Sequence, residues 1–118
     1  MEVHGSNDLL GRLLAAAGER SRVIATNLAN ENTPGYRRVV LRFEELLRGA
    51  IRKGDGDLSK VLPRLEEDLV TPARPDGNNV DLELEMNALR QNRLLYESYA
   101  AVLATRLEIL RSSIESGR

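Results

Sequence analysis

Residues Leu82 to Ile114 read LELEMNALRQNRLLYESYAAVLATRLEILRSSI. Within this stretch Leu82, Met86, Leu89, Arg93, Tyr96, Ala100, Leu103, Leu107, Leu110 and Ile114 recur at alternating steps of four and three. A narrow apolar stripe with a period of about 3.5 residues is a coiled-coil seam, and a seam needs a partner helix. Only Arg93 interrupts it. A polar residue at such a position either sets register or swings its head to the edge while its stem packs. Both readings stay open, with the small polar Ser21 as a candidate for the opposing place. Asp81, Glu83 and Glu85 put negative charge at the start of this helix, where the dipole favours it. Gly117 is a plausible stop, and the helix would be about 50 Å long.

A second, weaker seam lies near the N-terminus: Leu10, Leu14, Ala17, Ser21, Ile24 and Leu28. Ser6, Asn7 and Asp8 are suitable N-caps, so a helix over about residues 8–30 is expected. Gly11 and Gly18 weaken it by ~1 kcal/mol each relative to alanine, which makes it dependent on packing. At ~35 Å it is shorter than the C-terminal helix. An antiparallel hairpin of the two therefore leaves roughly two turns of apolar stripe uncovered, for another subunit or a folded-back middle segment to bury.

Between the helices, Thr33-Pro34-Gly35-Tyr36 reads as a turn. Val39, Leu41 and Phe43 alternate as extended chain, and Phe43, Leu46, Leu47 and Ile51 have the spacing of a short helix. Lys53-Gly54-Asp55-Gly56-Asp57 is a flexible break, Pro63 interrupts any helix, and Thr71 to Asn79 is turn-rich. The expectation is an all-α chain with three parts. Residues 1–47 carry the first helix, the turn and a short extended and helical piece. Residues 48–78 form a flexible or irregular connector, and 79–118 the long helix. Residues 1–47 and 79–118 together make one structural domain.

Composition narrows the function. The 118 residues hold only four aromatics (Tyr36, Phe43, Tyr96, Tyr99), no cysteine and a net charge of −1. Disulfides and thiolate metal sites are thereby excluded, and the charge offers no footprint for nucleic acid or an anionic membrane. No stretch has the length of a membrane span, and the first residues lack the pattern of a cleaved signal peptide. His4 is the only histidine and reads as a bystander. Glu44, Glu45, Glu66, Glu67 and Asp68 read as solvated faces, and Arg20, Arg22, Arg37 and Arg38 as a modest basic patch. No phosphate loop, zinc spacing or nucleophile–base set is present, so neither a cofactor nor an enzymatic activity is expected.

Two motifs carry more. Residues 25–36, ATNLANENTPGY, resemble the N-terminal signature of the flagellar rod and hook protein family, roughly A-x-N-[IL]-A-N-x-x-T-P-G-Y. Residues 79–86, NVDLELEM, resemble the same family's C-terminal helix opening, N-V-D-L-x-x-E-M, followed by Asn92 and Tyr96. The short middle, without a large inserted domain, is most similar to the proximal-rod members. One departure is Val39-Val40-Leu41-Arg42, where an acidic residue would be expected.

The resemblance implies a structural subunit of the bacterial flagellar basal body, in the periplasm-spanning shaft. It implies export through the flagellar type III apparatus without a cleaved signal. The implied partners are copies of itself, other rod subunits and the rod-to-membrane-ring junction protein. By the same resemblance Asn27, Asn30, Thr33, Pro34, Gly35 and Tyr36 form the turn motif, and Asn79, Val80, Asp81, Leu82, Glu85 and Met86 the helix-start motif. The expected mechanism is helix packing into a hollow shaft that transmits torque. The alternative is a generic coiled-coil adaptor.

Overall fold

A computed structural model describes residues 3–54 and 56–117, with side chains from Asp8 onward; Met1, Glu2, Asp55, Arg118 and the side chain of His4 lie outside that set. The chain forms helix α1 (Val3–Ala29), strand β1 (Val39–Arg42), helix α2 (Glu44–Arg52), a 3₁₀ turn (Leu58–Lys60), strand β2 (Arg64–Glu67) and helix α3 (Leu82–Ser116). The molecule is a rod of 68 × 28 × 15 Å.

Helices α1 and α3 run antiparallel. Asn27 lies against Glu85 while Ala17 and Ser21 lie against Asn92. Asp81 caps α3, accepting from the backbone N–H groups of Glu83 (2.9 Å) and Leu84 (3.3 Å), and Gly117 ends it. Helix α1 begins at Val3, ahead of the caps expected at residues 6–8. With 27 residues against 35 it is still shorter than α3 by about 12 Å. The middle segment does not cover the excess: Leu107, Ile109 and Ile114 remain exposed at that end.

The chain is mostly helical but not all-α. β1 and β2 form a two-stranded antiparallel ribbon, with Leu41 opposite Leu65 and Val39 opposite Glu67. The alternation at Val39, Leu41 and Phe43 is strand β1 and the entry to α2, as its period indicates. What the expectation of an irregular 48–78 lacked was β2, whose four residues Arg64-Leu65-Glu66-Glu67 carry no period-two apolar pattern. A two-stranded ribbon is marginal alone in water; here it is held by packing on α1. Phe43, fully buried, gathers Ala16, Leu41 and Leu47, with Leu9, Leu13, Val23, Leu58 and Val61 around them. Arg12 extends from α1 over the Phe43 ring (5.4 Å to its centroid) and donates to the carbonyls of Leu58 (3.0 Å) and Val61.

One cluster of buried apolar side chains thus sits between α1 and the ribbon–α2 layer. Where α1 and α3 meet, buried Ala17 and Ile24 and half-buried Leu89 and Leu103 accompany a row of buried polar residues, and this is where the motif residues gather.

Candidate functional site: a polar clasp and two exposed helix flanks

The turn after α1 is built on Thr33-Pro34-Gly35-Tyr36. Tyr36 N donates to Thr33 O (3.2 Å), Pro34 supplies the fixed φ, and Gly35 takes φ +77°. Asn30 Nδ2 donates back to Thr26 O (2.8 Å), and Thr33 Oγ1 donates to Asn30 Oδ1 (3.1 Å). A second glycine, Gly77 (φ +87°), packs against this turn so closely that a Cβ there would lie 3.3 Å from Gly35 Cα. We expect Gly77→Ala to lower stability by about 1–3 kcal/mol, from positive φ and crowding together. A denaturant midpoint unchanged within error would remove this account of the crossing.

Asn27, 0% exposed, is the hub. Its Oδ1 accepts from the Tyr36 hydroxyl (2.8 Å) and Val39 N (3.0 Å). Its Nδ2 donates to Val39 O (2.9 Å) and to Glu85 Oε2 on α3 (3.3 Å). Glu85, also 0% exposed, accepts at its other oxygen from Arg38 Nε (2.5 Å), and Arg38 Nη1 donates to Asp68 Oδ2 (2.7 Å). Burial and the nearby Glu85 charge raise the Tyr36 pKa, so its hydroxyl stays a proton donor. Burial acts to raise the Asp68 pKa, but hydrogen bonds from the Thr71 hydroxyl, Arg38 and the Thr71 and Val70 amides outweigh it. The carboxyl is held well below the ordinary carboxylate range.

Residues 68–80 close the clasp. Asn79 Oδ1 accepts from Arg38 N (2.7 Å) and its amide donates to Asp68 O (2.8 Å). Asn78 Nδ2 donates to Asn30 O and Thr33 O, both at 2.8 Å. Arg74 bridges Val80 O (2.5 Å) and Glu31 O (2.6 Å). Carbonyls left over where α1 ends thus receive donors from the segment that leads into α3. The turn-rich 71–79 is a fitted strap rather than a loose loop.

A second polar contact lies two turns along. Asn92 Nδ2 donates to Ala17 O (2.7 Å) and Ser21 Oγ (2.9 Å), and its Oδ1 accepts from Arg20 (2.9 Å). Arg20 also pairs with Glu44, which accepts the Tyr99 hydroxyl (2.7 Å). Burial opposes ionisation of Glu44, yet hydrogen bonds from Arg20 and Tyr99 lower its pKa on balance. Burial and Glu44 push the Tyr99 pKa far up.

Several expected site residues are placed differently by these contacts. Ser21 meets Asn92, not Arg93, whose side chain is 81% exposed and pairs with Glu97 (3.0 Å). Leu10, Ala17 and Ile24 of α1 are buried, and Leu14 and Leu28 half-buried. On α3 only Leu89, Ala100, Leu103 and Leu110 of the expected seam are half-buried. Leu82, Met86, Tyr96, Leu107 and Ile114 are exposed. The face α3 turns inward is the row Glu85, Asn92, Tyr99, rotated by roughly a residue from the apolar seam. Arg20 and Arg38 do not belong to a surface patch, nor Glu44 and Asp68 to solvated faces; they are partners in shielded ion pairs. Sequence reasoning gave no role to Arg20, Arg38, Glu44, Asp68, Arg74 or Asn78. A signal existed: Arg20 and Asn27 are seven apart, as are Glu85, Asn92 and Tyr99.

Among the described residues there is no group of three or more metal-ligating side chains, and no helix is long and apolar enough to cross a membrane. The architecture defines a structural helical hairpin, with its closed end locked by a buried polar clasp and with exposed apolar side chains along its long helix. No family model matches the chain. It is 33% identical to flagellar basal body rod protein FlgB of Borrelia hermsii, over 84% of this chain and 87% of that one. It is 30% identical to FlgB of Borreliella burgdorferi over the same shares, and 26% identical to FlgB of Bacillus subtilis over 97% and 96%. The chain belongs to the FlgB family of flagellar basal body rod proteins. Of the residues in the two sequence motifs, Asn27, Asn30, Thr33, Gly35, Tyr36, Asn79, Val80, Asp81 and Glu85 each make a contact or cap in the clasp, or are buried in it; Pro34 shapes its turn, and Leu82 and Met86 are exposed on α3 instead.

Proposed function

We propose that this protein is a structural subunit of the proximal rod, packing by its helices beside neighbouring subunits into the hollow shaft that transmits torque across the periplasm. Its partners in this reading are copies of itself, adjoining rod subunits and the protein joining rod to membrane ring. It reaches them through the flagellar type III export apparatus. The observation that carries the reading is the unpartnered apolar seam of α3. Leu107 is 51% exposed and Ile114 67%, with Leu82, Met86 and Tyr96 on the same side. At half to two-thirds exposure each such leucine or isoleucine forgoes about 1–2 kcal/mol of burial, which a neighbouring helix recovers. The clasp supports the same role, because a subunit under load needs its two helices locked in one register.

The test is Leu107→Glu in cells lacking the native gene. The side chain is exposed, so the purified variant should keep native helicity and melting temperature. Motility should be lost, with the variant absent from isolated basal bodies. Full motility and normal incorporation would sink the role of this seam. A discrete dimer that binds another protein without entering basal bodies would favour an adaptor instead.

A further inference from the structure

The two edges of the β1–β2 ribbon are not alike. The outer edge of β1 is closed by side chains of α1: the Asn27 amide meets both Val39 N and Val39 O, and Arg20 Nε donates to Leu41 O (3.3 Å). Because Val39 and Leu41 turn their peptide groups to α1, the ladder to β2 runs through the alternate residues Arg38, Val40 and Arg42. The bond from Asp68 N to Arg38 O (2.9 Å) has the same phase. Leu65 and Glu67, which lie opposite Leu41 and Val39, therefore turn their N–H and C=O groups to the outer edge of β2. Among the described residues nothing closes that edge as Asn27 and Arg20 close the other.

Beside the open edge runs a trough between β2 and the solvent-facing flank of α1. Two cavities of about 210 Å³ and 250 Å³ meet there at Glu19. Ala15, Ala16, Phe43, Leu62 and Pro63 line the first, with Arg12 at its rim. Val23, Thr26, Tyr36, Val39 and Leu65 line the second, with Arg22 at its rim. Leu62 is 68% exposed and Leu65 59%. Side chains alternate along a strand, so Glu67 shares the face of Leu65; it is exposed and has no ion pair among the described residues.

We infer that β2 is a docking edge for an extended segment of another protein, which adds antiparallel as a third strand. The segment carries a basic residue opposite Glu67 and aliphatic residues opposite Leu65 and Pro63, whose side chains enter the trough. The shaft packing of α3 does not use this surface. A two-stranded ribbon is marginal in water, and a third strand makes it a sheet. In strand addition, main-chain bonds give affinity and pockets for alternate side chains give specificity. Pro63 has no N–H and ends the ladder, so the added strand is short and the two cavities supply the selectivity. A second copy of β2 does not fit. Paired antiparallel about Leu65, it would bring its Glu67 opposite Pro63 and send a carboxylate toward the apolar cavity beside Glu19. Arg12, the cation of that cavity, is already held by the Leu58 and Val61 carbonyls.

The probe is the synthetic peptide TKTLTLTNT, capped at both ends and added to the purified, isotope-labelled chain. The backbone amide signals of Leu65 and Glu67 should shift and their exchange with solvent should slow. Methylating the two leucine nitrogens of the peptide, which face β2, should weaken binding more than roughly ten-fold. Methylating the threonine nitrogens, which face away, should leave binding nearly unchanged. Ala15→Trp and Thr26→Trp fill the two cavities from exposed positions, and each should abolish binding while keeping native helicity. No change at Leu65 and Glu67 with the peptide in millimolar excess overturns the inference. Equal impairment by the two methylation patterns, or by neither, also overturns it, because the trough would then bind side chains without strand pairing. In cells lacking the native gene, the Ala15→Trp/Thr26→Trp double variant should swim poorly. Normal swimming by this variant, where Leu107→Glu abolishes it, means that no partner occupies the edge; the inference falls and the shaft reading stands. Where Leu107→Glu also swims, the shaft reading falls and the peptide result alone decides the edge.

Discussion

Arg38→Met should lose about 3–5 kcal/mol, because it leaves two carboxylates in the interior without their cation. Glu85 is wholly buried and Asp68 nearly so, and both point at the one guanidinium. Domains of this kind hold about 5–15 kcal/mol in total, so the variant sits near its threshold. Urea denaturation followed by circular dichroism measures the loss. The companion Arg38→Met/Glu85→Leu removes one stranded charge together with its cation and should regain a good part of it. A loss under ~0.5 kcal/mol in the single variant would show that water reaches the site and the clasp contributes little. The same contacts set the acid response. The Asp68 pKa is depressed below its ordinary 3.8 and that of Glu44 below 4.5. A depressed folded-state pKa means that stability is fully present above the ordinary carboxylate range and lost as pH falls through the folded value. Native stability should therefore be level from about pH 7 to 5 and decline below about pH 4. The decline should be shallower in Arg38→Met, where Asp68 has lost one of the bonds that keeps it ionised.

Phe43→Ala should cost about 3–5 kcal/mol by a different route, deletion of the one large ring in the core. Phe43 is fully buried among Ala16, Leu41 and Leu47 and carries the Arg12 guanidinium over its face. Without it the ribbon–α2 layer has little to hold it on α1, and the Arg12 tether to Leu58 and Val61 loses its platform. The α1–α3 contact stands on a separate set of groups, the Asn27–Glu85 and Asn92–Ala17 contacts among them. Hydrogen exchange should therefore accelerate most over residues 39–67 and least around Ala17, Asn27, Glu85 and Asn92. Uniform acceleration along the chain would mean that layer and hairpin unfold as one unit, and that the separation drawn here is wrong.

Much of the helical framework was legible because periodicity and caps are local properties. The seven-residue repeat announced α3 and Asp81 its first turn, and the alternation from Val39 announced β1. Three things were hidden. β2 was missed because Arg64-Leu65-Glu66-Glu67 is an edge segment with no apolar alternation; it is a strand only because β1 lies beside it. The inward face of α3 was displaced because periodicity registers apolar residues alone, while the centre of this face is the polar row Glu85, Asn92, Tyr99, flanked by half-buried Leu89 and Leu103. Such a row is stable only where each member has a partner, and Asn27 and Arg20 become partners only after the chain has folded back. Arg38 and Asp68 were read as surface charges because mean exposure is the correct default for isolated arginines and carboxylates.

The amino-acid order alone determined two amphipathic helices at the ends of the chain, a Pro-Gly turn after the first, an Asp-capped start to the second, and the motifs that place the chain in a flagellar rod family. These depend on groups within a few residues of one another. Only the folded molecule decided which side of α3 is spent on α1 and which sides stay bare. That choice turns on pairing groups more than fifty residues apart, Asn27 with Glu85 and Arg20 with Asn92. Hydrogen-bond satisfaction across such a distance exists only in three dimensions.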